Sequence, residues 1–154
     1  MTDIDTHSLI ALARTYADDP SKWAHLVRAD AERRACVRLF ESAEATVWLL
    51  CWMPGQETGL HDHDGAAGAV VVVEGAVTEE RLRIGGEPSV RTAHAGDSFS
   101  FDGAVIHNVG HAEGEPAVTI HAYSPQLVRM GAYEVTPDGE LRRKAFDERP
   151  LALA

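Results

Sequence analysis

Residues 61–63 read His-Asp-His. In an extended strand, residues i and i+2 project from one face, so both imidazoles can address a single atom. Two residues apart on a helix they would diverge by about half a turn. Neutral imidazole is the commonest protein ligand for transition metals, so a strand-borne His-x-His is a bidentate clamp open to Fe, Zn, Cu or Ni. The tripeptide equally suits a solvated turn, and its surroundings must decide. Gly55 stands six residues before His61, and Gly75 closes a valine-rich run twelve residues after His63. Downstream, Gly96 precedes His107 by eleven residues in Gly-Asp-Ser-Phe-Ser-Phe-Asp-Gly-Ala-Val-Ile-His.

These spacings resemble the two motifs of the cupins, small double-stranded β-barrels that hold a metal inside. Gly68 stands where the first cupin motif has a glutamate. Asp102, Ala104 and His111 replace the proline, glycine and asparagine of the second, while His61, His63 and His107 keep the ligand spacing. Three histidines without a carboxylate is, within the cupins, the ligand set of the thiol dioxygenases, of which the cysteine dioxygenases are the best known. The wording around the motifs is similar to their bacterial members: Cys51-Trp52-x-Pro-Gly-Gln-x-Thr-x-x-His-Asp-His, and Thr119-Ile120-His121-Ala122-Tyr123-Ser124-Pro125. The resemblance runs from about Val47 to Pro125, with a looser echo in the N-terminal segment.

The resemblance implies Fe(II) on His61, His63 and His107, with a small thiol and O2 as the reacting pair and a sulfinate as product. Three neutral imidazoles leave the full charge of the metal uncompensated. That favours an anionic thiolate beside it, and coordination deprotonates a thiol outright. The family also has a hydroxyl–histidine–tyrosine relay. Thr119, His121 and Tyr123 alternate along one expected strand and so share a face, and Thr119 keeps the hydroxyl of the family's serine. Some members cross-link that tyrosine to a cysteine five residues after the second histidine; Gly68 is there instead, so no thioether is expected.

Substrate anchoring departs from the family, which places an arginine or a glutamine on an early strand to meet the substrate. Gapless counting back from His61 puts that position near Ala35 or Cys36, and neither side chain can clamp a carboxylate. Arg34 and Arg38 flank Cys36 at two residues on either side. Arg38 is the first choice for an anchor and Arg83 the second. If Arg38 faces solvent, the pocket is expected to prefer a thiol or thione without a simple carboxylate clamp. Asp62 and Asp64 should point away from the clamp by alternation, as outer hydrogen-bond acceptors or solvated turn residues. Cys51 reads as a small apolar strand residue.

The elements that must position these residues follow from periodicity. Leu9, Leu12, Ala13 and Tyr16 form the stripe of an amphipathic helix over Thr6–Ala17. Asp19-Pro20 then restarts a second short helix carrying Trp23, Leu26 and Val27. From about Arg33 the period becomes two. Strands are expected over Cys36–Phe40, Thr46–Met53, Ala69–Glu74, Ala76–Ile84, Val90–Ala93, Ser98–Phe101, Val105–Val109 and Ala117–Tyr123, separated by Gly, Pro and Asp turns. Thr136-Pro137-Asp138-Gly139 turns a final hairpin whose return strand carries Arg142, Arg143 and Lys144, read as a solvated edge. The reading is mainly β: one cupin domain over 1–154, jelly-roll-like, with two short helices over about 5–32 and the barrel and hairpin over about 33–154.

Length and charge bound the rest. The chain has 154 residues, 24 acidic against 14 basic, for a formal charge of −10. It is long enough to bury a core without disulfides, and it repels phosphate backbones and anionic lipid. No nucleic-acid or membrane partner is expected. With two cysteines and neither a signal-peptide pattern nor a bilayer-length apolar run, the cytoplasm is the expected location. The protein should work as a monomer or weak homo-oligomer. Two rivals to the enzyme stand: a non-catalytic cupin that binds a metal or small molecule as a receptor, which has no need of Tyr123, and an isomerase or sugar-binding cupin, which usually keeps the glutamate that Gly68 replaces.

Overall fold

Every residue of Thr46–Trp52 is buried, and so is every residue of Ala117–Ser124. Strands covered on both faces need a layer on each side. The computed structural model describes residues 3–147. It contains helix α1 (Thr6–Ala17), single 3-10 turns at Pro20–Lys22 and Ala24–Leu26, and strands β1 (Ala35–Glu41), β2 (Thr46–Trp52), β3 (His61–Asp62), β4 (Ala67–Glu74), β5 (Ala76–Arg81), β6 (Ser89–His94), β7 (Ser98–Phe101), β8 (His107–His111), β9 (Ala117–Ser124), β10 (Arg129–Val135) and β11 (Leu141–Asp147). They form a five-stranded sheet, β1-β2-β9-β4-β7, and a six-stranded sheet, β11-β10-β3-β8-β5-β6. The two antiparallel sheets close the jelly-roll-like double-stranded barrel of the cupins.

Alternation divides the five-stranded sheet between two cores. Trp48, Leu50, Trp52, Val70, Val72 and Tyr123 point into the barrel, where they meet Phe99, Phe101 and Met130 of neighbouring elements. Val47, Leu49, Val71, Val118 and Ile120 point outward and meet Leu9, Ala13 and Ala17 of α1 and Trp23. The valine run Val70–Val73 is thereby explained: its outward side chains lie under a helix. Asp5 caps α1 by accepting from the Ser8 amide at 2.8 Å, and Asp19 accepts from the Ser21 amide at 3.2 Å to start the second helical segment. That segment is two tight turns, with Val27 37 % exposed. Among the described residues no helix is long and apolar enough to cross a membrane.

Several expected boundaries shift. β4 starts at Ala67, two residues before Ala69; β5 stops at Arg81, short of Ile84; and β8 spans His107–His111, two residues later than the pattern Val105–Val109 suggested. The physical reason is the turn 102–106, where the Ala104 amide donates to Asp102 Oδ1 at 2.8 Å and holds Val105 out of the ladder. At Gly103 a Cβ would collide with the backbone of Gly65, so the turns following His63 and preceding His107 touch directly.

The basic hairpin also differs from expectation. Arg143 lies exposed on the edge strand β11 as expected, but it is also engaged: its Nε and Nη2 donate to Asp62 Oδ2 and Oδ1 at 2.8 and 3.0 Å, and Nη2 reaches Asp64 at 3.1 Å. Asp62 also accepts from the Gly131 amide and the Tyr133 hydroxyl. A two-residue strand cannot hold its place by ladder bonds alone, and this side-chain cluster ties β3 to β10 and β11. A bidentate, charge-assisted bond of this kind contributes about 1.5–3 kcal/mol. Arg143→Met should therefore lower the urea or thermal midpoint by a matching amount. An unchanged midpoint would return Arg143 to the solvated edge.

Candidate metal centre

His61 lies on β3, His63 follows it, and His107 opens β8, where its Cα faces that of His61 across the ladder. All three rings are buried, and one ligand atom from each lies within 4.8 Å of the others. Ring centroids are 4.7 to 5.0 Å apart. His61 Nδ1 sits 2.9 Å from the Gly59 carbonyl, and His107 Nδ1 sits 2.7 Å from Glu79 Oε2. Both contacts require a proton on Nδ1, which leaves Nε2 of each ring as a lone pair. His63 has neither ring nitrogen hydrogen-bonded, although both are buried. An orphaned buried imidazole costs free energy unless something meets it, and a cation held by three nitrogens meets it. The donor set therefore fits a divalent transition metal.

Local sequence explains the placement. Asn108 Oδ1 accepts from the Gly59 amide at 2.9 Å and fixes the loop that delivers His61. Gln56 holds the turn before it, accepting from the Met53 amide at 2.9 Å and donating to the Asp30 carbonyl at 2.7 Å. The Phe101 ring stacks on His63 at 4.6 Å and meets His107 edge-on at 4.6 Å. A side chain at Gly68 would run into that ring. The position at which some family members carry the cross-linking cysteine is thus filled by Phe101.

Thr119, His121 and Tyr123 line the interior from β9. Trp52 Nε1 donates to Thr119 Oγ1 at 2.8 Å, Thr119 Oγ1 lies 2.7 Å from His121 Nε2, and His121 Nδ1 lies 3.1 Å from the Tyr123 hydroxyl. The indole N–H can only donate, so Thr119 Oγ1, on a side chain 0 % exposed, accepts from it. The neutral His121 ring then joins the Thr119 and Tyr123 hydroxyls, one ring nitrogen protonated and the other a lone pair. Tyr123 and His63 have ring centroids 5.1 Å apart.

The anchor expectation needs correction. The Arg38 side chain is 50 % exposed, ion-pairs with Glu41 at 3.3 Å, and stacks over Trp48 at 5.9 Å. It lies on the face it shares with Cys36, but four residues along from Arg34, at the far end of an edge strand. Arg34 is the inward cation: 5 % exposed, its guanidinium 4.8 Å from the Trp52 ring and its Nη1 donating to the Glu57 carbonyl at 3.1 Å. Arg34 precedes Ala35, the nearer of the two positions reached by gapless counting, by one residue.

Sequence reasoning also missed Glu79, which is 1 % exposed. The signal was present: Glu79 alternates with Val77 on a strand whose odd positions face inward. Its charge is met by Arg81, whose Nη2 donates to both carboxylate oxygens at 2.9 and 3.1 Å, and by Arg91 at 3.4 Å.

The electrostatics follow from burial. Desolvation pushes His61 and His63 well below the usual imidazole range, and the charges of neighbouring histidines add to it. Desolvation also lowers His107, with Glu79 acting against the shift. His121 is lowered to about 3, by burial first and then by Arg34 and His107. Burial raises the Tyr123 phenol, which stays protonated, and raises Cys36 to about 12. An unfolded histidine titrates near 6.5. The unfolded chain therefore takes up protons that the folded chain refuses. The stability from these neutral rings is complete above about pH 6.5 and falls below it, by about 1.4 kcal/mol per pH unit for each histidine. Thermal midpoints of metal-free protein should drop steeply between pH 6.5 and 5 and stay level just above that window. A level midpoint down to pH 5 would show that these rings accept protons inside the barrel.

A family model described as cysteine dioxygenase type I matches residues 1–136. Human cysteine dioxygenase type 1 is 22 % identical over 147 residues, covering 86 % of this chain and 71 % of that protein. The Danio rerio enzyme of the same name is 25 % identical over 137 residues, covering 79 % and 66 %. Among solved structures, a protein from Thermus thermophilus superposes with a TM-score of 0.57 at 24 % identity, covering 67 % of this chain and 93 % of its own. A cupin superfamily protein from Desulfitobacterium hafniense superposes with a TM-score of 0.56 at 12 % identity, covering 67 % and 87 %. At these identities the two structures speak for the fold.

Proposed function

Because the chain belongs to the cysteine dioxygenase type I family, we propose that it is a mononuclear non-heme iron thiol dioxygenase, oxidising a small carboxylate-bearing thiol to its sulfinate. The observation that carries this reading is the juxtaposition of three buried, convergent histidines with the buried Tyr123, whose ring lies 5.1 Å from His63 and whose hydroxyl is hydrogen-bonded to His121. His61, His63 and His107 would hold Fe(II), which when bound supplies open positions and redox chemistry for a thiolate and O2. The reaction balances without a cosubstrate: both oxygen atoms of O2 end on sulfur, and sulfur supplies all the electrons.

The protein's own groups have separate tasks. Arg34 meets the substrate carboxylate; its charge already reaches His61, His121 and Tyr123, so it faces the same interior. Trp52 holds the guanidinium from one side through its ring and the relay through its N–H. Thr119 and His121 fix the direction of the Tyr123 proton, which is donated toward developing negative charge on the reacting atoms. Phe101, Leu50 and Val70 are apolar walls that exclude water.

Oxygen uptake and sulfinate formation should be measured with iron-loaded protein over L-cysteine, 3-mercaptopropionate, cysteamine and a bulkier heterocyclic thione. Turnover confined to the mercapto acids is the expected result. Iron retention without turnover of any thiol would leave a metal-binding receptor. Arg34→Met should raise KM for the best mercapto acid on the order of 10–100-fold with iron content unchanged, whereas Arg38→Met should change neither.

Tyr123→Phe should keep iron and lower turnover by about 10²–10³. Unchanged turnover would reduce Tyr123 to a packing residue.

A further inference from the structure

The three histidines are not backed alike. His61 donates to a neutral carbonyl, His63 stacks on Phe101 with no partner for either nitrogen, and His107 donates to a carboxylate at 2.7 Å with both partners nearly inaccessible. We propose that Glu79 is a positioning residue for the metal centre: through His107 it gives the three-histidine set the negative charge that a ligating carboxylate gives other cupins and that Gly68 cannot. The inference rests on the metal reading above.

Three observations carry it. The carboxylate is fixed, with Arg81 on both oxygens, Arg91 on one, and Arg81 itself held by the Ser100 carbonyl at 3.0 Å. Its direction is set by register: Glu79 pairs with Val109 and His107 with Arg81, so glutamate and imidazole are diagonal neighbours across β5 and β8. Finally, its place is costly. Charges buried in a barrel are tolerated only when paired, and an apolar residue such as Val77 on the same face would serve packing better.

A carboxylate accepting the outer N–H of a metal-bound imidazole fixes its tautomer and makes the inner nitrogen a stronger donor. Removing such a partner typically lowers metal affinity about 10–100-fold. The iron-loaded full chain and its Glu79→Gln and Glu79→Asp variants should be challenged with a graded series of a ferrous chelator. The thermal midpoint of each metal-free form should be recorded in parallel. Gln keeps the volume and an acceptor oxygen and removes only the charge; Asp keeps the charge. The expected result is loss of iron from Glu79→Gln at about 10–100-fold lower chelator, with Glu79→Asp closer to wild type. Equal iron retention by Glu79→Gln and wild type, with a lowered midpoint, would make Glu79 structural and overturn the inference while leaving the metal reading intact. Equal losses from Gln and Asp would show that shape rather than charge matters, and would also overturn it. Failure of the wild type to hold iron would overturn both readings.

Discussion

Three imidazoles buried within 4.8 Å of one another must all be neutral, and each must offer a lone pair to the same point. The rest of the interior depends on that constraint. Neutrality requires that water be excluded, and the outer nitrogens are treated differently: His61 has a carbonyl, His107 a carboxylate, and His63, stacked on Phe101, no hydrogen-bond partner. A barrel suits this requirement because strand alternation places large apolar side chains and the few ring nitrogens on one inner surface, with backbone polar groups already used in the ladders. Thr119 and His121 meet the same demand on the facing sheet, where Trp52, Thr119, His121 and Tyr123 are joined in one buried hydrogen-bonded series.

Charge is distributed to support this. The protein carries −10 overall, yet its buried acids are each matched to arginines: Asp62 to Arg143, and Glu79 to Arg81 and Arg91. Both acids adjoin the histidine cluster. Asp62 lies between His61 and His63 and ties β3 to β11 through Arg143, whereas Glu79 is bound to Nδ1 of His107. Arg34 is the buried cation of this interior, held against the Trp52 ring inside a protein that is acidic overall.

Much of this was legible in the sequence, and the parts that were not have physical causes. The barrel could be read because its strands alternate and its turns carry Gly, Pro and Asp, and α1 could be read from the stripe Leu9, Leu12, Ala13 and Tyr16. His61, His63 and His107 were found by spacing along short stretches, where register errors cannot accumulate. Arg34 and Arg38 flank Cys36 at equal spacing, so alternation alone could not say which of the two is buried; the structure buries Arg34 against Trp52 and leaves Arg38 half exposed. Glu79 was passed over because a charged residue in a strand is ordinarily solvated, and only its alternation with Val77 argued otherwise. Arg143 lay within a basic cluster, and no local pattern distinguishes the one arginine that finds a buried acid 81 residues away in the chain.

Gly68 connects these features. Where other cupins have a carboxylate, this chain has no side chain, and the Phe101 ring fills the space, packing on His63 and His107. One substitution thus removes a charge from the ligand set and places an apolar wall against two of the three ligands. The wall lowers the local dielectric, which keeps the histidines neutral and strengthens the bond between Glu79 and His107. A carboxylate at position 68 would need water or a cation to meet it, whereas the carboxylate of Glu79 is met by His107, Arg81 and Arg91. The apolar ring that Gly68 admits and the buried glutamate are therefore compatible: the charge lies behind His107, and the face that Phe101 covers stays apolar.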